Sequence, residues 1–250
     1  MRYFICLSYN GTHYHGWQVQ ENARTVQEEL NQALAVLLKE EIQTVGAGRT
    51  DAGVHARNYI AHFDSERLAL LMKGQNIVYK LNCILSGDIC IHRIVPVHDT
   101  AHARFDARLR TYKYYVHHAP NPFTQEFSTY IPYNLDIIKM NEAAAKLYGY
   151  DDFTSFARLH SDNKTNNCKI AQAVWTETAD GMIFTVSADR FLRNMVRAIV
   201  GTLLEVGRGK IGVDDFVRII EQRERGAAGT SAPAKGLFLE EIQYEYAVGE

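Results

Sequence analysis

No apolar run in the sequence approaches the length needed to span a bilayer, and the N-terminal stretch Met1-Arg2-Tyr3-Phe4-Ile5-Cys6-Leu7-Ser8-Tyr9 is too short for a signal-peptide core. A cytoplasmic protein with no membrane contact is the expectation. Cysteine is scarce: Cys6, Cys83, Cys90 and Cys168 are scattered without a C-x-x-C pair. That spacing offers neither a disulfide framework nor a zinc site and predicts reduced, mostly buried thiols. The histidines, among them His13, His15, His55, His117 and His118, show no metal-ligand spacing and read as surface or packing residues. A basic excess is also missing. The formal net charge is -2 over 250 residues, so any nucleic-acid surface has to come from local clustering. There is no Walker A segment and no low-complexity linker. Asn163-Lys164-Thr165 matches a glycosylation sequon, which has no consequence without secretion.

What is present is a chain able to bury a substantial core, 46% hydrophobic and 22% charged, with a length between one large domain and two small ones. Residues 3 to 9 read as a strand with Tyr3, Ile5, Leu7 and Tyr9 on one face. Thr25 and Glu28 form a capping box for the next helix. Its residues Val26, Leu30, Ala33, Leu34, Leu37 and Leu38 fall at i, i+4, i+7, i+8, i+11 and i+12, a single apolar stripe. Short strands near 42–47 and 54–63, a helix around 76–84 and a strand at 89–95 complete a βαββαβ order. The second half repeats it: a strand at 111–118, a helix from Asp136 to Tyr148 ending at Gly149, strands at 170–178 and 182–188, helices near 190–205 and 214–222, and a strand near 237–246. Ala179-Asp180-Gly181 carries a hairpin signal. The expected fold class is α+β: two ferredoxin-like βαββαβ halves with their sheets side by side and an active-site cleft between them. The boundary falls near residues 98–108, which gives halves 1–104 and 105–250.

Three stretches could carry chemistry. In Gly46-Ala47-Gly48-Arg49-Thr50-Asp51-Ala52-Gly53-Val54-His55-Ala56, three glycines in eight positions permit close backbone approach to a ligand; the alternative is a surface turn that Asp51 caps. A dinucleotide loop is rejected, because a G-x-G-x-x-G pattern would need glycine where Asp51 stands and a helix rather than a strand afterwards. In the helix read from 190 to 205, Arg190, Arg193 and Arg197 lie at i, i+3 and i+7, opposite Leu192, Met195, Val196, Ile199 and Leu203. Either this is an ordinary solvated charged face, or the arginines are available to phosphates or to a buried carboxylate. Residues 189–210 carry five Lys or Arg against two acids. Finally, Arg110, Tyr112 and Tyr114 share one face of a strand, combining guanidinium for phosphate with rings on which an unstacked base can lie; core packing of the tyrosines is the other reading.

The Gly-Arg-Thr-Asp-Ala-Gly-Val-His-Ala run, the Arg-x-Tyr-x-Tyr strand and the segment Phe191-Leu192-x-x-Met195-Val196-Arg197-x-Ile199-Val200-Gly201, in that order, resemble the TruA family of pseudouridine synthases. The resemblance covers nearly the whole chain. It extends to Tyr9-x-Gly11-x-x-Tyr14-x-Gly16-Trp17-Gln18 and to Ala232-Pro233-Ala234-Lys235-Gly236-Leu237. It implies an isomerase of uridines at positions 38–40 in the anticodon arm of tRNA. Asp51 would be catalytic, Arg49 would help displace the base, Tyr112 would contact the flipped uridine, and Arg197 would pair with the aspartate. Arg190, Arg193 and Arg110, from the residue pattern itself, are the further candidates for RNA contact. The resemblance further implies a homodimer and no cofactor or metal, since breaking C1′–N1 and making C1′–C5 needs one carboxylate and no redox centre. The competing classes are a non-catalytic RNA-binding protein and a uridine-directed glycosidase, which would need a second carboxylate.

Overall fold

The aromatic and β-branched residues at the N-terminus form β1 (Arg2–Tyr9). In this computed structural model, which describes residues 1–72, 76–158 and 165–246, the elements that follow are α1 (Val26–Leu38), β2 (Val45–Gly46), β3 (His55–Asp64), α2 (Leu68–Met72), α3 (Ile77–Ile84) and β4 (Ile89–Val97). Next come β5 (Ala107–His117), β6 (Thr129–Tyr130), α4 (Ile137–Lys146), β7 (Ile170–Thr178), β8 (Gly181–Ala188), α5 (Met195–Gly207), α6 (Val213–Gln222) and β9 (Leu237–Tyr244). The fold is mixed α+β, as expected. Asn163 and Lys164 of the sequon match lie outside the described residues. Among the described residues no helix is long and apolar enough to cross a membrane.

The chain divides into two compact units, residues 1–108 with 239–250, and residues 109–238. In the first, β1 is flanked by β3 and β4, both antiparallel to it, and β2 lies alongside β3. β1 is buried on both faces, not one. Tyr3, Ile5, Leu7 and Tyr9 line the anticipated face, while on the other Phe4 packs against His62, Tyr244 and Tyr246. The α1 stripe is in the core apart from Leu37, which is half-buried, and Thr25 caps the helix by accepting from the Glu28 amide. The short helix α2 has no counterpart in the sequence reading. Its start is organised by Ser65, whose hydroxyl accepts from the Leu68 amide and donates to Glu40.

In the second unit β5 pairs antiparallel with β8, and β8 with β7 across the two-residue loop Ala179-Asp180. The hairpin signal therefore found its turn. Asn141 on α4 accepts from the Trp175 amide and donates to the Trp175 carbonyl, fixing that helix along β7. The helix read from 190 to 205 is corrected: it begins at Met195, because Asn194 adopts a left-handed φ of 66° that a helix cannot pass through. Arg190 and Arg193 precede the helix and do not share its face with Arg197. Nor is α5 amphipathic; Met195, Val196, Ala198, Ile199, Val200, Leu203 and Val206 are all buried, as in a core helix. The cysteines are all free, but only Cys6 and Cys168 are buried; Cys83 and Cys90 are exposed.

One buried titratable group gives the first unit a defined acid response. His62, 4% exposed on β3, accepts the Ala103 amide proton on Nδ1 at 3.1 Å, which requires that nitrogen to be unprotonated. Burial, reinforced by neighbouring His102 and Arg2, pushes its pKa from 6.5 down to about 4. Above pH 6.5 both folded and unfolded chains are neutral here, so the shift contributes nothing. Between about 6.5 and about 4 the unfolded chain binds a proton that the folded chain refuses, so stability falls as pH falls. Urea titrations across that range should show a shallower loss in His62→Asn than in wild type, and parallel curves would rule out His62 as the source.

Candidate active site

The loop between β2 and β3 carries Asp51, and a second loop, residues 10–17, is sewn onto it. The Gly11 amide donates to His55 Nδ1 (3.1 Å), the Gly53 amide to the Tyr14 carbonyl (3.2 Å) and the Trp17 amide to the Thr50 carbonyl (3.4 Å). The Tyr9 hydroxyl bonds Thr50 Oγ1 at 2.8 Å, and the Val54 amide closes the turn onto the Asp51 carbonyl at 3.2 Å. Contact this close leaves no room for side chains. A Cβ at Gly11 would collide with the Val54 carbonyl and one at Gly16 with the Thr50 carbonyl; Gly16 also sits at φ 90°. Beneath the loops, Trp17 stacks on Tyr59 with centroids 4.2 Å apart, and the Tyr59 hydroxyl donates to the Gly48 carbonyl. Thr50 and His55 are buried by this arrangement, Asp51 is half-buried, and Arg49 and Ala52 are exposed.

In the second unit Tyr112 lies on β5 opposite Val186, 9% exposed, with Phe191 edge-on to its ring at 5.2 Å and 88°. Arg197 projects from α5 and is held twice to one residue: its Nε donates to the Ala232 carbonyl at 2.8 Å and its carbonyl accepts the Ala232 amide at 2.9 Å. Tyr114, fully buried, bonds Thr129 Oγ1 (2.6 Å) and donates to the Pro233 carbonyl (2.9 Å). Burial pushes its hydroxyl pKa far up, partly offset by Thr129 and the charge of Arg197. Of the two tyrosines, Tyr114 is thus a core residue. Arg110 donates to the Asp189 carbonyl at 2.7 Å; Arg190 is half-buried and Arg193 exposed.

Arg49 and Asp51 lie in the first unit, and Tyr112, Arg197, Arg110, Arg190 and Arg193 lie in the second. The sequence reading places Tyr9, Trp17, Phe191 and Ala232 within the resembling motifs and His55 among surface or packing residues; the structure adds what each holds, Tyr9, Trp17 and His55 the two loops, Phe191 the Tyr112 ring and Ala232 the Arg197 guanidinium.

A profile of the tRNA pseudouridine synthase family matches residues 5–106 and 143–245. The chain belongs to that family. Among its relatives, each called tRNA pseudouridine synthase A, the protein of Bacteroides fragilis is 54% identical over 250 residues, spanning 100% of this chain and 98% of its own length. That of Porphyromonas gingivalis is 49% identical over 245 residues, 97% of each chain. That of Bacillus subtilis is 40% identical over 249 residues, 98% of this chain and 100% of its own.

For a member of this family the two-loop contact makes a sharp prediction. Gly16→Ala combines a strained φ with a backbone collision and should lower stability by more than about 1 kcal/mol while depressing turnover. Gly48→Ala, whose added carbon would meet nothing within 4 Å, should be close to wild type in both. Equal behaviour of the two variants in thermal unfolding and in activity would show that the loops do not depend on this contact.

Proposed function

We propose that the chain converts uridine to pseudouridine at positions 38–40 in the anticodon arm of tRNA, with Asp51 as the catalytic carboxylate. Its family makes it an isomerase acting on tRNA uridine. The observation that carries the choice of residue is the half-buried Asp51 on a loop whose backbone is hydrogen-bonded from both sides.

A uridine stacked in an RNA helix has to be extruded before a carboxylate can reach it. Arg49, exposed two residues before Asp51, is the group that takes the vacated place in the stack, and Tyr112 contacts the displaced base. Arg197 is the counter-charge for the carboxylate: a guanidinium already oriented by a carbonyl reaches an acid at little entropic cost. In the reaction the C1′–N1 bond breaks, the base turns, C1′–C5 forms, C5 loses a proton and N1 gains one. Atoms and electrons balance without a co-reactant. Whether the carboxylate adds to the sugar, adds to C6 or takes a sugar proton, the step uses the same group. Arg193, Arg190 and Arg110 contact phosphates, the protein acts as a homodimer, and its place is the cytoplasm with its tRNA.

The product decides between this reading and its rivals. Incubated with unmodified tRNA, the protein should create a carbon-linked nucleoside in the anticodon arm with no change in RNA mass, while Asp51→Asn, nearly isosteric but unable to serve as nucleophile or base, should bind and produce none. Free uracil would mark a glycosidase, and turnover in Asp51→Asn would remove the residue from the chemistry. A second measurement addresses the cations. Charge reversal at Arg193 or Arg190 should weaken tRNA binding and flatten the slope of log affinity against log salt, because fewer counterions are released; an unchanged slope in both would take them off the RNA surface.

A further inference from the structure

Tyr14, whose carbonyl receives the Gly53 amide, is 2% exposed and is itself gripped at the other end. Its hydroxyl donates to Glu29 Oε2 at 2.8 Å; with that proton committed, its oxygen accepts from Ser86 Oγ (2.9 Å) and from Arg24 Nη2 (3.2 Å). The same Glu29 oxygen accepts from Arg24 Nη2 at 2.8 Å and Nε at 3.2 Å, and Oε1 accepts the Ser86 amide at 2.9 Å. The Arg24 guanidinium lies over the Tyr14 ring, 4.6 Å from its centroid. One carboxylate on the first turn of α1 therefore joins the turn before β4, the segment before α1 and, through Tyr14, the loop of residues 10–17 that is bonded to the Asp51 turn. Burial opposes the charge on Glu29, but the hydrogen bonds from Ser86, Arg24 and Tyr14 prevail and hold its pKa below the ordinary carboxylate range. Burial pushes Tyr14 up to about 12, so the hydroxyl keeps its proton for Glu29.

We propose that Glu29 is a positioning residue for pseudouridine formation: through Tyr14 it sets the position of the Asp51 loop against α1. The proposal rests on Asp51 being the catalytic carboxylate. The path is short: carboxylate to phenol, through the rigid ring and backbone of Tyr14 to its carbonyl, from there to the Gly53 amide, and from Gly53 to Asp51 across one residue of a closed turn. Apolar packing could stabilise the first unit without any of these bonds. What the network adds is directional, because hydrogen bonds fix angles as well as distances and the last of them is made by Gly53, two residues from Asp51. Small displacements of a catalytic group slow chemistry far more than they weaken substrate binding. Glu29 touches neither substrate nor Asp51, so its signature is a rate effect with affinity retained.

The test uses the full-length enzyme with unmodified tRNA, under single-turnover conditions and normalised to the folded fraction. Glu29→Gln keeps the shape and loses the charge; Tyr14→Phe deletes one oxygen from a buried ring and serves should Glu29→Gln fold poorly. Each is expected to lower the rate constant about ten- to a hundred-fold with tRNA KM unchanged. Because both act on one chain of bonds, the double variant should be no slower than the slower single. A wild-type rate constant in either single variant, a raised KM with the rate retained, or multiplicative losses in the double would overturn the proposal. Asp51→Asn runs in the same series. Turnover there would overturn the Asp51 reading and this proposal with it, whereas an inactive Asp51→Asn beside a fully active Glu29→Gln would overturn the positioning role alone.

Discussion

The close backbone approach of residues 10–17 to residues 50–55 is the constraint on which the first unit depends. Two carbonyls, of Thr50 and Val54, occupy the space where Cβ atoms of Gly16 and Gly11 would be. The remaining groups follow from that proximity. Where β1 ends, its register with β3 shifts between Leu7 and Tyr9, the extra residue lying on β3 between Ala56 and Tyr59, and there the Tyr9 hydroxyl meets Thr50. Trp17 and Tyr59 stack because both chains converge above them, and His55 is turned inward as an acceptor for the Gly11 amide. The result is a carboxylate whose backbone has little freedom left, on a loop that would otherwise be a mobile surface turn. On the proposed assignment of Asp51, that rigidity is what the scaffold supplies to the reaction.

The second unit fixes its groups by a different device, hydrogen bonds from a single irregular segment. Between residues 229 and 233 the chain gives the Gly229 amide to Thr202 Oγ1, the Ser231 hydroxyl to Asn194 Nδ2 as acceptor, the Ala232 amide and carbonyl to Arg197, and the Pro233 carbonyl to Tyr114. One segment thereby ties α5 to β5. The same bonds explain Asn194, whose left-handed backbone offers no cap to α5 and whose side chain goes to Ser231 instead. Arg197 is, with Glu205, one of two charged residues on a helix otherwise made of core residues, so its emergence from that helix is costly unless it is held and used.

Elements whose cause is local were legible in the sequence, and those whose cause is a distant carbonyl were not. The α1 stripe and the Thr25 cap depend on spacing within one turn, and both are present. The hairpin at Ala179-Asp180-Gly181 was found for an incomplete reason. Gly181 does not take a positive φ; it is small because a Cβ there would strike the Val116 carbonyl of the neighbouring strand. The Asp51 turn admitted two readings because nothing between Gly46 and Ala56 announces that residues 10–17 lie against it. The arginine spacing at 190, 193 and 197 misled, since periodicity assumes a continuous helix and one left-handed residue at Asn194 interrupts it. Exposure of Cys90 reflects position: β4 is the outer partner of β1, its first residues alternate buried and exposed, and Cys90 falls on the outward side.

The net charge of -2 offers no global support for an RNA substrate, so what bears on one is how individual arginines are placed. Acidic residues are spent on particular arginines: Arg2 with Asp64, Arg24 with Glu29, Arg57 with Glu240, Arg108 with Glu245, Arg218 with Asp215 and Arg223 with Asp152. Where both partners are exposed such pairs contribute little stability, and because each joins one positive to one negative charge they leave the total unchanged. Carbonyl oxygens hold Arg110 and Arg197. A carbonyl dipole orients a guanidinium, and that orientation is something no sum over the composition can register. Whole-chain charge answers how the protein behaves as a colloid; the partner of each arginine answers what the site can attract.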